Sequence, residues 1–218
     1  MEILKLLSTI DVPISAARIQ GELTLPRSST YHLLAEMVDA GFVAHLPEHK
    51  TYGLGLAAYS MASAYVTQQP LVRMATRDLE QCAALVGGSG HLSRMAGSEI
   101  LYLQEVRAAG ATSLVTEVGV RLQAHKTASG RVMLAHLPDA EVRAAFDTAG
   151  GSGFAALKKR LSLVAARGWD QEIEEITRGQ ASVAAPILDH LDRPAAAVAV
   201  TYPVGTPDVK VDAAIRAL

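Results

Sequence analysis

Apolar residues recur at helical spacing in three short runs at the start of the chain. Ile3, Leu4, Leu7 and Ile10 share one face of a helix over 3–10, which Asp11-Val12-Pro13 breaks. Ala16, Ile19 and Leu23 mark a second helix, and Ser15 is placed to cap it. After Leu25-Pro26 a third helix runs to Asp39. Tyr31, Leu34 and Val38 form its stripe, with Leu33 and Met37 beside it and Ser28 or Ser29 positioned as the cap. Ala40-Gly41 ends it with a glycine suited to a left-handed C-terminal cap. The period then changes to two. Residues 42–46 predict a strand, Pro47-Glu48-His49 a turn, and 50–54 the returning strand. Three helices followed by a two-stranded hairpin is the layout of a winged helix-turn-helix, placed at residues 1–55.

From Leu56 to Thr67 the chain is apolar on every helical face. A helix without a charged side must be covered all round, and a second subunit is the economical cover. Residues 56–69 are therefore assigned as a linker and dimerisation helix, with Gln68-Gln69-Pro70 as the boundary to a domain at 70–218. That domain alternates helices and strands. Helices are predicted at 71–86, 126–137, 139–147, 154–167 and from Asp208; Leu79, Cys82, Ala83 and Val86 form the inner stripe of the first. Gly87-Gly88-Ser89-Gly90 reads as a turn. Strands are predicted at 91–95, 99–106, 113–115, 181–188 and 195–202. The expected fold class is α+β, with a mixed sheet flanked by helices in an effector-binding domain of GAF-like type.

Composition changes the picture in two places. Half of the residues are hydrophobic and mean hydropathy is +0.20, which favours apolar surface buried between subunits. Charge points the other way from the head's layout. Through Gln69 there are four basic residues against six acidic ones, and sixteen of each beyond it. A DNA-binding half is usually basic, since phosphate neutralisation supplies most non-specific affinity. The case for DNA therefore rests on pattern rather than on charge. Cys82 is the only cysteine, so no internal disulfide or thiolate cluster forms; it reads as a small buried hydrophobe on a helix. The chain opens Met1-Glu2 without a secretory signal, and a cytoplasmic location is expected. The uncharged stretch from Thr51 to Val72 carries too many Gly, Ser, Thr and Gln residues for hydrocarbon, so no membrane partner is expected.

Three stretches carry a resemblance. Leu25-Pro26-Arg27-Ser28-Ser29-Thr30-Tyr31-His32-Leu33-Leu34 resembles the recognition-helix entry of the isocitrate lyase regulator (IclR) family of bacterial transcription factors. Arg121-Leu122-Gln123-Ala124-His125-Lys126-Thr127-Ala128-Ser129-Gly130-Arg131 is similar to its arginine-leucine-proline stretch, histidine, small residues, glycine and basic residue. Arg167-Gly168-Trp169-Asp170, Glu174-Glu175, Gly179 and Ala184-Ala185-Pro186-Ile187 match its glycine-aromatic, double-glutamate and alanine-alanine-proline signature. The resemblance covers nearly the whole chain and is short at both ends. His32 stands where arginine is usual, Gln123 for proline, Ser182 for cysteine, Ala199 for serine and Tyr202 for glycine.

The resemblance implies a regulator that binds operator DNA as a homodimer or dimer of dimers, without cofactor or metal. A small organic acid or aromatic metabolite would modulate that binding. The competing reading, favoured by the acidic head and His32, is a sensor or assembly module that has lost specific DNA binding. The implied DNA contacts are Arg27, Ser28, Ser29, Thr30, Tyr31 and His32. Hydroxyls and amides at a helix start suit phosphate oxygens, while Tyr31 and His32 reach base edges. The plainer alternative is that a serine only caps the helix and Tyr31 is half core. His49 and Lys50 at the wing tip touch the backbone or are merely solvated. The implied effector pocket maps onto Leu114, Leu122, Ala128, Ser129, Glu172, Gln180, Ser182, Ala199 and Thr201. There the amides of Ala128-Ser129-Gly130 offer an anion site, or the small residues only permit close packing. Glu172 is either an orienting group or part of a solvated acidic run. Ser129, His125 and Glu172 lack a nucleophile-elbow pattern, and His91, His125 and His136 lack ligand spacing. Neither an enzyme nor a metal site is expected.

Overall fold

The computed structural model describes residues 1–68, 70–112, 114 and 116–218, with the backbone alone described for 66–68. The chain divides into two compact units, Met1–Gln69 and Pro70–Leu218.

In the first unit, α1 (Glu2–Ser8), α2 (Ala16–Leu23) and α3 (Arg27–Asp39) pack around a core of Ile3, Leu7, Ile14, Ala16, Ile19, Leu34 and Val43. Ser15 caps α2, its hydroxyl accepting from the Arg18 amide at 3.3 Å. Neither Ser28 nor Ser29 caps α3. Its cap position is Pro26 and Arg27 is already helical, because proline's fixed φ favours a helix entry and leaves no amide to satisfy. The α3 stripe is also rotated from the expected one. Thr30 and Leu34 are buried and Met37 and Val38 partly so, while Tyr31 is 47% exposed. Past Ala40, Gly41 adopts φ +73°, which turns the chain into the wing. The wing is a three-stranded sheet ordered β1 (Ile14–Ser15), β3 (Thr51–Leu54), β2 (Val43–Leu46), antiparallel throughout. Helix α4 (Leu56–Gln68) follows with Leu56, Tyr59, Met61 and Tyr65 exposed, an apolar surface of the kind a monomer rarely leaves bare.

The second unit is a six-stranded sheet ordered β6 (Arg121–Gln123), β5 (Glu99–Arg107), β4 (Ser89–Ala96), β9 (Pro194–Pro203), β8 (Gln180–Leu188) and β7 (Asp170–Ile173). Every neighbouring pair is antiparallel, which corrects the expected mixed sheet. The helices are inserted between hairpins and do not form βαβ crossovers, so no parallel pair arises. The Gly-Gly-Ser-Gly turn is also corrected: Ser89 and Gly90 already pair with Thr201 and Val200. The strand expected at 113–115 falls on Ser113 and Val115, outside the described residues; Leu114 is buried without regular structure.

Alternation along β9 sorts the two faces. Ala197 and Ala199 pack with α6 (Ala128–Leu134), α7 (Asp139–Thr148) and α8 (Phe154–Arg167). Val200 and Tyr202 pack with α5 (Pro70–Val86) and α9 (Asp208–Ala217). All of α6 is buried. A Cβ on Gly130 would lie 2.1 Å from the Ala124 carbonyl, so glycine is what lets the 3₁₀ turn at Ala124–Lys126 fold against this helix.

Candidate DNA interface and effector cavity

The α3 entry presents Arg27, Ser28, Ser29, Tyr31 and His32 to solvent. Thr30 is removed from the expected contact set. It is fully buried and its hydroxyl donates to the Pro26 carbonyl at 3.0 Å. His49 and Lys50 are exposed at the wing tip. Lys5 is tied to Glu2 at 2.8 Å and Arg18 to Glu22 at 3.7 Å. Among the described residues, Arg27 and Lys50 are the head's basic side chains without a carboxylate partner within 4 Å. The two cations left unpaired thus stand at the recognition-helix entry and the wing.

The second unit encloses a cavity between α6 and the inner sheet face. Its lining includes His91, Tyr102, Thr116, Thr127, Ala128, Ser129, Glu172, Ser182, Ala199 and Thr201, completed by Ile176 and Thr177 from the loop 174–179. Strand register sets Ser89, Thr201, Ser182 and Glu172 in one row across four strands, with His91, Ala199, Ala184 and Asp170 in the next. Glu172 is buried. Its Oε1 accepts from Ser182 Oγ at 2.8 Å and its Oε2 from the Glu175 amide at 2.9 Å, while Ser182 Oγ lies 2.9 Å from Thr201 Oγ1. Glu174 and Glu175 are exposed, but the solvated-run reading fails for Glu172, which is buried, and for Glu175, which pairs with Arg131 and Arg160.

Five buried side-chain atoms on this side have no hydrogen-bond partner among the described residues: both ring nitrogens of His91, and the hydroxyls of Ser89, Ser93 and Thr116. A buried polar atom left alone costs about 1–3 kcal/mol, so such a cluster marks space built for something polar. Burial holds the His91 pKa down at about 4, with the Glu105 carboxylate opposing and Arg107 reinforcing. Burial, and then the Glu172 charge, pushes the Tyr102 phenol up. Both groups are neutral near pH 7. An unfolded histidine titrates near 6.5, so below that pH the unfolded chain takes up a proton that native His91 refuses. Stability present above pH 6.5 is expected to fall by about 3 kcal/mol as pH drops toward 4. A His91→Gln variant should lose that contribution, as read from urea midpoints across the interval.

An ion network anchors the cavity's helix and edge strand. Arg131 on α6 and Asp170 on β7, both fully buried, are paired through Nε. Arg131 Nη1 also donates to the His125 carbonyl at 3.2 Å and to Glu175 Oε2 at 3.0 Å. Arg160 spans Glu175 at 3.1 Å and Asp170 at 3.5 Å, and Arg167 pairs with Asp170.

Family profiles match this chain over both units: the IclR helix-turn-helix domain over residues 1–47, and the bacterial transcriptional regulator IclR C-terminal domain over residues 63–210. The chain belongs to the IclR family. It is similar to the glycerol operon regulatory protein of Streptomyces griseus, 29% identical over 98% of this chain and 89% of that one. It is also similar to the transcriptional regulator XynR of Escherichia coli, 26% identical over 92% and 83% respectively. Among solved structures, an IclR regulator from Alicyclobacillus acidocaldarius superposes with a TM-score of 0.84 at 20% identity, covering 100% of this chain and 91% of that one. An IclR homologue from Microbacterium hydrocarbonoxydans complexed with 4-hydroxybenzoate does so with a TM-score of 0.78 at 20% identity, over 99% and 93%. The IclR relatives are regulators, not enzymes. His125 packs edge-on to Phe146 and lines a different groove from Ser129.

Of the residues that the IclR resemblance implied for the pocket, Ala128, Ser129, Glu172, Ser182, Ala199 and Thr201 line the cavity. Leu114, Leu122 and Gln180 are not among its lining residues. Leu122 packs on the core beside it, Gln180 faces Pro203 at the start of β8, and Leu114 is buried. The expected row of free amides is also reduced, because Thr127 Oγ1 accepts from the Gly130 amide at 2.9 Å. His91, Tyr102, Thr116, Thr127, Ile176 and Thr177 are additions. For His91 the signal in sequence is the alternation of Ser89, His91 and Ser93 on a single strand face. Among the described residues, no group of three His, Cys, Asp or Glu side chains is placed to hold a metal, and no helix is long and apolar enough to cross a membrane.

Proposed function

We propose that the protein binds operator DNA through the α3 entry and the wing, and that a small metabolite in the α6–sheet cavity modulates that binding. The observation that carries this reading is the polar row Thr201–Ser182–Glu172 facing buried, unpartnered His91 and Thr116. A purely structural core would not leave these groups unsatisfied beside an internal space. The 4-hydroxybenzoate complex of an IclR homologue supports the second unit as a small-molecule site. The unit assembles as a homodimer or dimer of dimers in the cytoplasm, with the bare apolar surface of α4 covered by a second copy. That helix joins the head to the sensor, so an effector favouring one arrangement of paired heads by a few kcal/mol would change operator affinity.

The acidic head and His32 favour one rival, a sensor module without specific DNA binding. The two separate in one measurement. DNA from upstream of the gene is expected to be retarded at low salt and released as salt rises, with a metabolite panel altering the midpoint. Absence of any shift at every salt concentration would leave the sensor reading and remove the operator one.

A further inference from the structure

The hydrogen-bond directions in the cavity define what can enter it. A carboxylate only accepts, so the single Ser182 proton points to Glu172. Ser182 therefore has no proton left for Thr201, and in their 2.9 Å contact Thr201 is the donor. Both hydroxyl protons thus run toward Glu172, and Thr201 faces the cavity with lone pairs. Glu172 itself retains acceptor capacity beyond Ser182 and the Glu175 amide. On the β4 side His91 offers one N–H and one bare nitrogen. Ala199, its cross-strand neighbour, offers no polar atom to satisfy either.

The charge inventory agrees. Among the described residues no lysine or arginine lines the space, and Glu172 is the one formal charge there. Arg131, the nearest buried cation on α6, is committed to Asp170 and Glu175. A carboxylate ligand seated on the Thr201–Glu172 side would bring acceptors to acceptors, and anywhere in the cavity it would bury a second negative charge without a counter-charge.

We infer that the cavity takes an uncharged, hydroxyl-bearing ligand, an alcohol, polyol or phenol, and discriminates against carboxylate anions. The ligand O–H donates to the Thr201–Glu172 side, and its oxygen accepts from His91 or Thr116. This rests on the reading of the cavity as the effector site. The enclosed space is about 20 Å³, room for roughly one water molecule, so entry requires a wall to move. Ile176 and Thr177 are the partly exposed lining residues that stand on a loop.

The test uses the full chain and matched probes that differ in charge: glycerol against glycerate, and benzyl alcohol against benzoate. Thermal-shift titrations and operator retardation are read for each. The neutral member is expected to bind the wild type at least about tenfold more tightly, since like charges brought together cost several kcal/mol. In Glu172→Gln the discrimination should narrow to within about threefold. Thr201→Val, which conserves shape, should weaken the neutral probe without admitting the anion, and stands in if Glu172→Gln fails to fold. Wild-type preference for the carboxylate, with relief of operator binding, overturns the ligand class and leaves the effector-site reading standing. Undiminished discrimination in Glu172→Gln also overturns the class. If neither member of either pair shifts melting or operator binding, the class and the site reading both fall.

Discussion

Arg131→Met is expected to destabilise the second unit by about 3 kcal/mol, the low end of the range for removing one partner of a buried ion pair. The side chain is 1% exposed and Asp170 is wholly buried, so neither ion recovers water when the other goes. Arg160 and Arg167 still reach Asp170, which is why the cost stays near the lower bound. The melting temperature should fall by roughly 6–12 °C for a protein of this size. Trp169 is the only tryptophan and lies under the Arg167 guanidinium at 4.2 Å, so its fluorescence reports on the network directly. Arg131→Met combined with Asp170→Leu should recover part of the loss, since replacing both ions by apolar groups removes the unpaired charge. A single-variant midpoint equal to wild type would show that the network does not hold the edge strand. Function should suffer with stability. The pair joins the helix bearing Ser129 to the strand bearing Glu172, and loosening it opens the cavity that their spacing defines.

What the sequence made legible follows the strength of each local signal. The helix at 154–167 is read to the residue, because apolar period and the glycine exit at Gly168 coincide there; α3 is read to its end at Asp39, but its start at Arg27 precedes both serines expected to cap it. The edge strands β6 and β7 escaped notice. Both are short, and Arg-Leu-Gln and Asp-Gln-Glu-Ile are poor in the branched and aromatic residues that announce a strand. Missing β7 matters, since its register brings Glu172 opposite Ser182. The cavity was legible only where the family resemblance reached. His91 comes to it because β4 lies beside β9, a pairing across more than a hundred residues that no local pattern encodes, and Thr116 comes from the segment between β5 and β6. Thr30 and Tyr31 exchanged expected roles for a simpler reason. With α3 starting at Arg27, the inward stripe falls on Thr30 and Leu34, and Tyr31 turns to solvent.

The same rotation sharpens the expectation for DNA. Lys5 and Arg18 are engaged by acids on their own helices, so each head is expected to bring Arg27 and Lys50 to the phosphates. With log affinity falling by about 0.9 per log unit of salt for each phosphate neutralised, a head should show a slope near −2, and a pair of heads near −4. Arg27→Ala with Lys50→Ala should bring the slope close to zero. Two charge-assisted contacts at about 1.5–3 kcal/mol each are lost per head, so affinity should fall at least about a hundredfold at low salt. His32→Arg works in the opposite sense. The exposed ring lies one residue beyond Tyr31 on the presented face, and a fixed guanidinium there should steepen the slope by about one per head. Retardation titrations over a salt series, run on wild type and both variants, measure all three slopes. A wild-type slope far steeper than −4 would mean that cations outside the α3 entry and the wing carry the contact. A double variant that keeps the wild-type slope would move the DNA surface away from the helix-turn-helix entry altogether.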